Sequence, residues 1–202
     1  MSSTTFASFF GWAGLISGLI PTYKQLQRAL KVSTHGISID TWTYICWTNL
    51  FWLAYGIAQH GIEIWMSAAV TLPLQIGIVL QLEVRKNLKK ILSTGLLLML
   101  TCCVPTLLWG WKIGILVVGF MSVLNRAPQI IKCIREKDVK GVSVSAWLWS
   151  SFCNVMWLVY YLLHDNFSAA TVNIPFILTS WLIAYFAFLR QYQSSKNLPV
   201  AI

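Results

Sequence analysis

Long apolar stretches alternate along the chain with short, polar and mostly basic ones. Seven of the apolar stretches come close to the roughly 20 residues a helix needs to cross a bilayer. They run from Thr5 to Tyr23, Ile37 to Gln59, Ile64 to Leu82, Ile91 to Trp111, Ile113 to Ile131, Val142 to Leu163 and Asn166 to Leu189. Only Asp40 and Arg126 place a charge inside them. A spanning segment must satisfy its own backbone hydrogen bonds, and the alternating pattern of a barrel strand is missing, so the pattern predicts seven transmembrane helices. Composition agrees: 57% of the residues are hydrophobic and 10% charged, against about a quarter charged in soluble domains. What remains makes short loops and tails, which leaves no room for a soluble catalytic domain or a nucleic-acid reader. Met1 to Phe10 has no basic start and the first stretch lacks a cleavage site, so the first helix is expected to stay.

Charge then sets the orientation. With the N-terminus outside and the C-terminus cytoplasmic, fourteen of the fifteen basic residues fall at the inner face, and only Lys112, in the turn between the fourth and fifth stretches, lies outside. The net charge of +9 thus reads as a topology signal, not as affinity for nucleic acid. A multi-pass protein of the cell membrane is expected, with the lipid bilayer as its surroundings and homo-oligomer formation unconstrained. The five cysteines, Cys46, Cys102, Cys103, Cys133 and Cys153, lack metal-ligand spacing and read as packing residues.

An internal repeat organises the rest. At an offset of 105, Gly36/Gly141, Ser38/Ser143, Trp42/Trp147, Asn49/Asn154, Trp52/Trp157, Leu53/Leu158 and Tyr55/Tyr160 coincide. Small shifts also bring Pro21 onto Pro128, Ser67-Ala68-Ala69 onto Ser168-Ala169-Ala170, and Pro73 onto Pro175. Each copy holds three helices, so direct fusion would invert one of them, yet the charges say both face the same way. The stretch Ile91 to Trp111 supplies the missing crossing. The expected fold is an all-α integral membrane protein of two parallel three-helix repeats joined by a linker helix (3+1+3). Residues 5–90 form the first repeat, 91–111 the linker, 113–192 the second repeat and 193–202 a cytoplasmic tail.

Repeats so arranged put a solute site between them near the midplane. At 100° per residue, Trp42, Asn49 and Trp52 share one face of their helix, as do Trp147, Asn154 and Trp157. At about 1.5 Å per residue, Asn154 lies roughly 18 Å from the inner face and Asn173 about 10 Å from the outer one, nearly the same depth in a core of about 30 Å. Amides offer donors and acceptors and indoles flat apolar faces, a suitable lining for a small neutral polyhydroxylated solute. The plainer readings are that Trp42 and Trp147 anchor at the interface and that Asn49 and Asn154 bond between helices. Pro21, Pro73, Pro128 and Pro175 are paired by the repeat, as hinges for rocking or as static kinks. Arg126 lies close enough to the inner face to snorkel there, the plainer reading beside a gate or substrate role. Asp40 reads as a helix-start residue, and no acid lies deep in a span, which favours downhill passage over proton coupling. Enzyme signatures are absent, and neither cofactor nor metal is expected.

Pro128-Gln129, Lys140-Gly141-Val142-Ser143, Trp157-x-x-Tyr160 and Asn173 together resemble the PQ-loop and MtN3/saliva group, which includes the SWEET sugar transporters. The resemblance implies facilitative sugar transport by alternating access, with Trp52, Trp157 and Asn173 at the site. The first repeat has Pro21-Thr22 where the family has Pro-Gln, and Thr71 stands opposite Asn173, with Gln75 a turn further. The candidate substrate-binding set is therefore Trp52, Asn49, Thr71, Gln75, Asn154, Trp157 and Asn173. A proton-coupled amino-acid transporter and a non-transporting receptor of the same fold are the rival readings.

Overall fold

The computed structural model describes residues 3–82 and 84–196; the last six residues of the expected tail, and the side chain of Arg85, lie outside the described part. Among the described residues seven helices follow one another: α1 (Ser3–Lys31), α2 (Ile39–Ala58), α3 (Ile62–Leu80), α4 (Val84–Trp109), α5 (Trp111–Arg135), α6 (Val144–Leu163) and α7 (Phe167–Lys196). Several outrun the apolar stretches: α1, α5 and α7 continue into the basic segments and α4 begins within one. Hydropathy ends a stretch where charged residues gather, whereas a helix continues while its backbone bonds are met, and basic residues in a last turn complement the helix dipole. The turn between α4 and α5 is Gly110, at φ +84, so Lys112 sits in the first turn of α5 instead of in the turn itself.

Five of these helices, α3 to α7, are long and apolar enough to cross a membrane by length and composition. The first two are not among them; α2 carries Asp40, Asn49 and several threonines, and α1 is rich in glycine, serine and threonine. Both are nonetheless built into the same bundle. Large apolar side chains such as Leu96, Leu100, Leu107 and Phe120 are exposed, while Gln25, Thr41, Asn125, Gln129, Asn173 and Ser180 are buried alongside an apolar core. An apolar exterior is what a seven-helix membrane protein requires.

Packing repeats the sequence duplication. In the first half α1 lies against α3 and α3 against α2; in the second α5 lies against α7 and α7 against α6. The halves meet through α1 with α6 and, equivalently, α2 with α5, and α4 rests on α5 and α2. The loops show that the copies run parallel, because the ends of α1 and α5 and the starts of α2 and α6 gather at one end of the molecule, the basic end.

At that end the two halves are clamped to each other twice. Gln129 on α5 accepts from Ser38 N at 2.8 Å and donates to Gly36 O at 2.7 Å. Gln25 on α1 accepts from Ser143 N at 2.9 Å and donates to Gly141 O at 2.8 Å. These are the same bonds made from opposite sides. The structure therefore corrects the register taken from the prolines: Gln25, not Thr22, is the counterpart of Gln129, and Thr22 only bonds Gly18 O within its own helix. Ser38 and Ser143 also cap α2 and α6. Gly141 is required by space, since a Cβ there would stand 2.5 Å from Ser33 O and 2.6 Å from His35 O.

Candidate functional site

A cavity of about 220 Å³ lies between the two halves. All seven candidate residues, Asn49, Trp52, Thr71, Gln75, Asn154, Trp157 and Asn173, line it. Its walls follow the repeat. From α2 come Trp42, Ile45, Thr48, Asn49 and Trp52, and from α6 Trp147, Ser150, Cys153, Asn154 and Trp157 at matching positions. Gly18, Pro21 and Thr22 on α1 correspond to Ser122, Asn125 and Arg126 on α5 in the register that pairs Gln25 with Gln129. Of the four proposed hinges, Pro21 reaches the cavity; Pro73, Pro128 and Pro175 lie inside α3, α5 and α7.

Each amide is fixed in a different way. Asn49 donates to Ala68 O at 2.9 Å and to Thr71 Oγ1 at 3.1 Å, so it ties α2 to α3 while facing the cavity. Asn154 donates to Ser150 O at 2.6 Å, and Asn173 to Ala169 O at 2.8 Å, each four residues back in its own helix. With the amide nitrogens held by backbone, the carbonyl ends are oriented for other partners. The aromatic rings close the two ends. Trp42 and Trp147, both buried, meet at a ring-centroid distance of 6.3 Å on the basic side, which replaces the expectation that they sit at the lipid interface. On the other side Tyr161 lies 6.2 Å from Trp52 and 6.0 Å from Trp157. Gly14 leaves the room that Trp157 occupies, since a Cβ there would stand 2.8 Å from its ring.

Sequence reasoning missed the α5 wall. Arg126 does not snorkel to the basic face: it lines the cavity, where its Nη1 donates to Phe176 O at 2.6 Å, Ser180 Oγ at 2.9 Å and Thr179 Oγ1 at 3.0 Å. Its guanidinium lies 4.7 Å from the Phe176 ring centroid and 5.7 Å from that of Trp147, a favourable arrangement for a cation. Beside it, Ser122 Oγ and Asn125 Nδ2 are buried without a hydrogen-bond partner, as is Gln75 Oε1 on α3. The signal was available as a stripe: Ser122, Asn125, Arg126 and Gln129 are spaced i, i+3, i+4, i+7 on one helical face. Among the described residues, no Asp or Glu lines the cavity. Glu63, one residue outside its drawn stretch, is buried in the first turn of α3.

A polar, aromatic cavity shared by two like halves and clamped at one end is suited to holding a small solute between membrane faces. Residues 110–170, from the α4–α5 turn through α6 into α7, match the family model described as the PQ loop repeat. The match supports the PQ-loop family. It covers both Gln129 and the Gly141 loop that answers Gln25, the two parts that recur across the halves. No curated protein matches the chain. A multi-pass membrane protein follows from the match and the apolar helices together, and it is consistent with a transporter or receptor.

Proposed function

We propose that the protein is a facilitative transporter that carries a small polar solute by alternating access, the two three-helix halves rocking about the cavity between them. The observation that carries this reading is the shared cavity: matched walls from both halves, with exchangeable clamps at the basic end made of Gln25 and Gln129 and a Trp42–Trp147 ring contact above them. Breaking those contacts opens the basic side, and Trp52, Tyr161 and Trp157 then serve as the barrier on the other. The basic end is assigned to the cytoplasm, with the N-terminus outside, by the positive-inside rule, and the cell membrane is the expected location.

Sugar is the solute class supported by the amides and indoles and by the resemblance to SWEET proteins. The cavity volume of about 220 Å³ is below the roughly 300–1,000 Å³ of drug-sized pockets, which favours a single sugar ring. An amino-acid cargo is the second reading, favoured by Arg126, which offers a fixed positive charge to an α-carboxylate; a cationic cargo is disfavoured by the same charge. The test is uptake of labelled monosaccharides and amino acids into proteoliposomes holding the full chain. Uptake above that of empty vesicles for one class is expected, and no uptake of any solute, with binding of a soluble peptide in its place, would establish the receptor reading.

A further inference from the structure

We propose that the α5 wall is a carboxylate-binding subsite and that the cargo carries an acidic group, a deduction that rests on the carrier reading above. Arg126 uses one of its nitrogens, Nη1, for all three of its bonds to α7. Nε and Nη2 have no partner among the described residues, and a guanidinium keeps its charge in proteins. A half-buried cation that faces a cavity without a counter-ion is costly. The rings of Phe176 and Trp147 ease that cost without cancelling the charge, and no acid among the described residues lines the cavity to do so.

Two further donors converge on the same wall. Asn125 Nδ2 belongs to a side chain only 4% exposed and has no partner, and Ser122 Oγ, on a side chain 8% exposed, has none either. Ser122 stands one helical turn before Arg126, on the same face. A carboxylate offers two oxygens and about four lone-pair positions, takes an Arg fork in two bonds and has capacity left for an amide N–H and a hydroxyl. On α3, Gln75 Oε1 is an acceptor without a partner, suited to a hydroxyl or ammonium elsewhere on the same molecule. The equivalent wall on α1 offers Gly18, Pro21 and Thr22, with no charge, and Thr22 already bonds Gly18 O. The acidic end of the cargo therefore faces α5. A sugar acid and a free amino acid share this chemistry.

The experiment measures thermal stabilisation and proteoliposome uptake of the full chain with D-glucuronate, D-glucose, L-alanine and chloride as probes. Charge-assisted hydrogen bonds predict that glucuronate or alanine binds about ten- to a hundredfold tighter than glucose, and which of the two does so identifies the source of the carboxylate. Arg126→Gln removes that preference. Because Arg126 also bonds α7, Ser122→Asp serves as the second variant: it places a carboxylate at i, i+4 from Arg126, leaves the α7 bonds in place, and is expected to keep the melting temperature while abolishing carboxylate preference. Binding of glucose as tight as that of both glucuronate and alanine, stabilisation by chloride with nothing added by carboxylates, or full carboxylate preference in Ser122→Asp would each overturn the subsite. Glucose uptake without carboxylate preference leaves the carrier reading intact. Arg126-dependent carboxylate binding without any flux preserves the subsite and removes the carrier.

Discussion

Replacing Gln129 by alanine should open the basic end. Its side chain, 1% exposed, bonds one N–H and one C=O of the other half, and Ser38, which supplies the N–H, is equally buried. Truncation leaves both backbone groups stranded in the closed arrangement, while water can reach them once the halves separate. At about 1–3 kcal/mol for each buried group left unpaired, with some rescue by water, the closed state loses about 2–4 kcal/mol. That shifts the balance toward the basic-side-open state by about thirty- to a thousandfold. Cys153 lines the cavity and serves as the reporter once Cys46, Cys102, Cys103 and Cys133 are replaced by alanine. A membrane-impermeant thiol reagent applied from the basic side should label Cys153 faster in Gln129→Ala, and just as much faster in Gln25→Ala. Thr22→Ala, which removes only a bond within α1, should change little. An unchanged rate in both glutamine variants would refute the clamp, and an effect from Thr22 without one from Gln25 would restore the proline register.

Other substitutions probe the remaining parts. Asn173→Ala removes a cavity amide whose protein bond is to its own helix; uptake should fall by more than about tenfold while stability changes by about 1 kcal/mol or less, measured by flux and thermal melting. Gly141→Ala drives a Cβ against the backbone of Ser33 and His35; it should cost about 1–3 kcal/mol of stability as an overpacking change and raise Cys153 labelling from the basic side. Gly14→Ala pushes on the Trp157 ring and should weaken solute binding in a thermal-shift titration while the fold survives. Asp40→Ala breaks the 2.6 Å pair with Lys90, whose side chains are 32% and 55% exposed, so melting should move by less than about 1 kcal/mol equivalent.

Hydropathy and duplication made most of the architecture legible. Seven apolar stretches became seven helices, and the Trp, Asn and Gly pairs at one offset placed α2 on α6 correctly, because those positions line one cavity from two sides. The relation of α1 to α5 was harder to read. Proline is the most conspicuous residue in a membrane helix, and aligning Pro21 with Pro128 displaced the rest of that wall by three residues. What recurs physically is the residue that holds the opposite loop, Gln25 or Gln129, and the prolines sit at different distances from it. Arg126 was misread for a related reason. Its distance from the helix end is compatible with snorkelling, but the direction it faces is set by the polar stripe it shares with Ser122 and Asn125, toward the other half. Trp42 and Trp147 likewise lie near helix ends, as interfacial anchors do, and turn inward because each meets its own repeat counterpart.

The proposed carrier exposes one cavity to one side of the membrane at a time, and exchange kinetics read out that alternation. In proteoliposomes loaded with unlabelled solute, entry of the labelled solute should be faster than into vesicles containing buffer alone, because the loaded carrier returns with cargo. Flux that is indifferent to solute on the far side, and that rises in proportion to concentration without saturating, would contradict alternating access and leave a pore in its place.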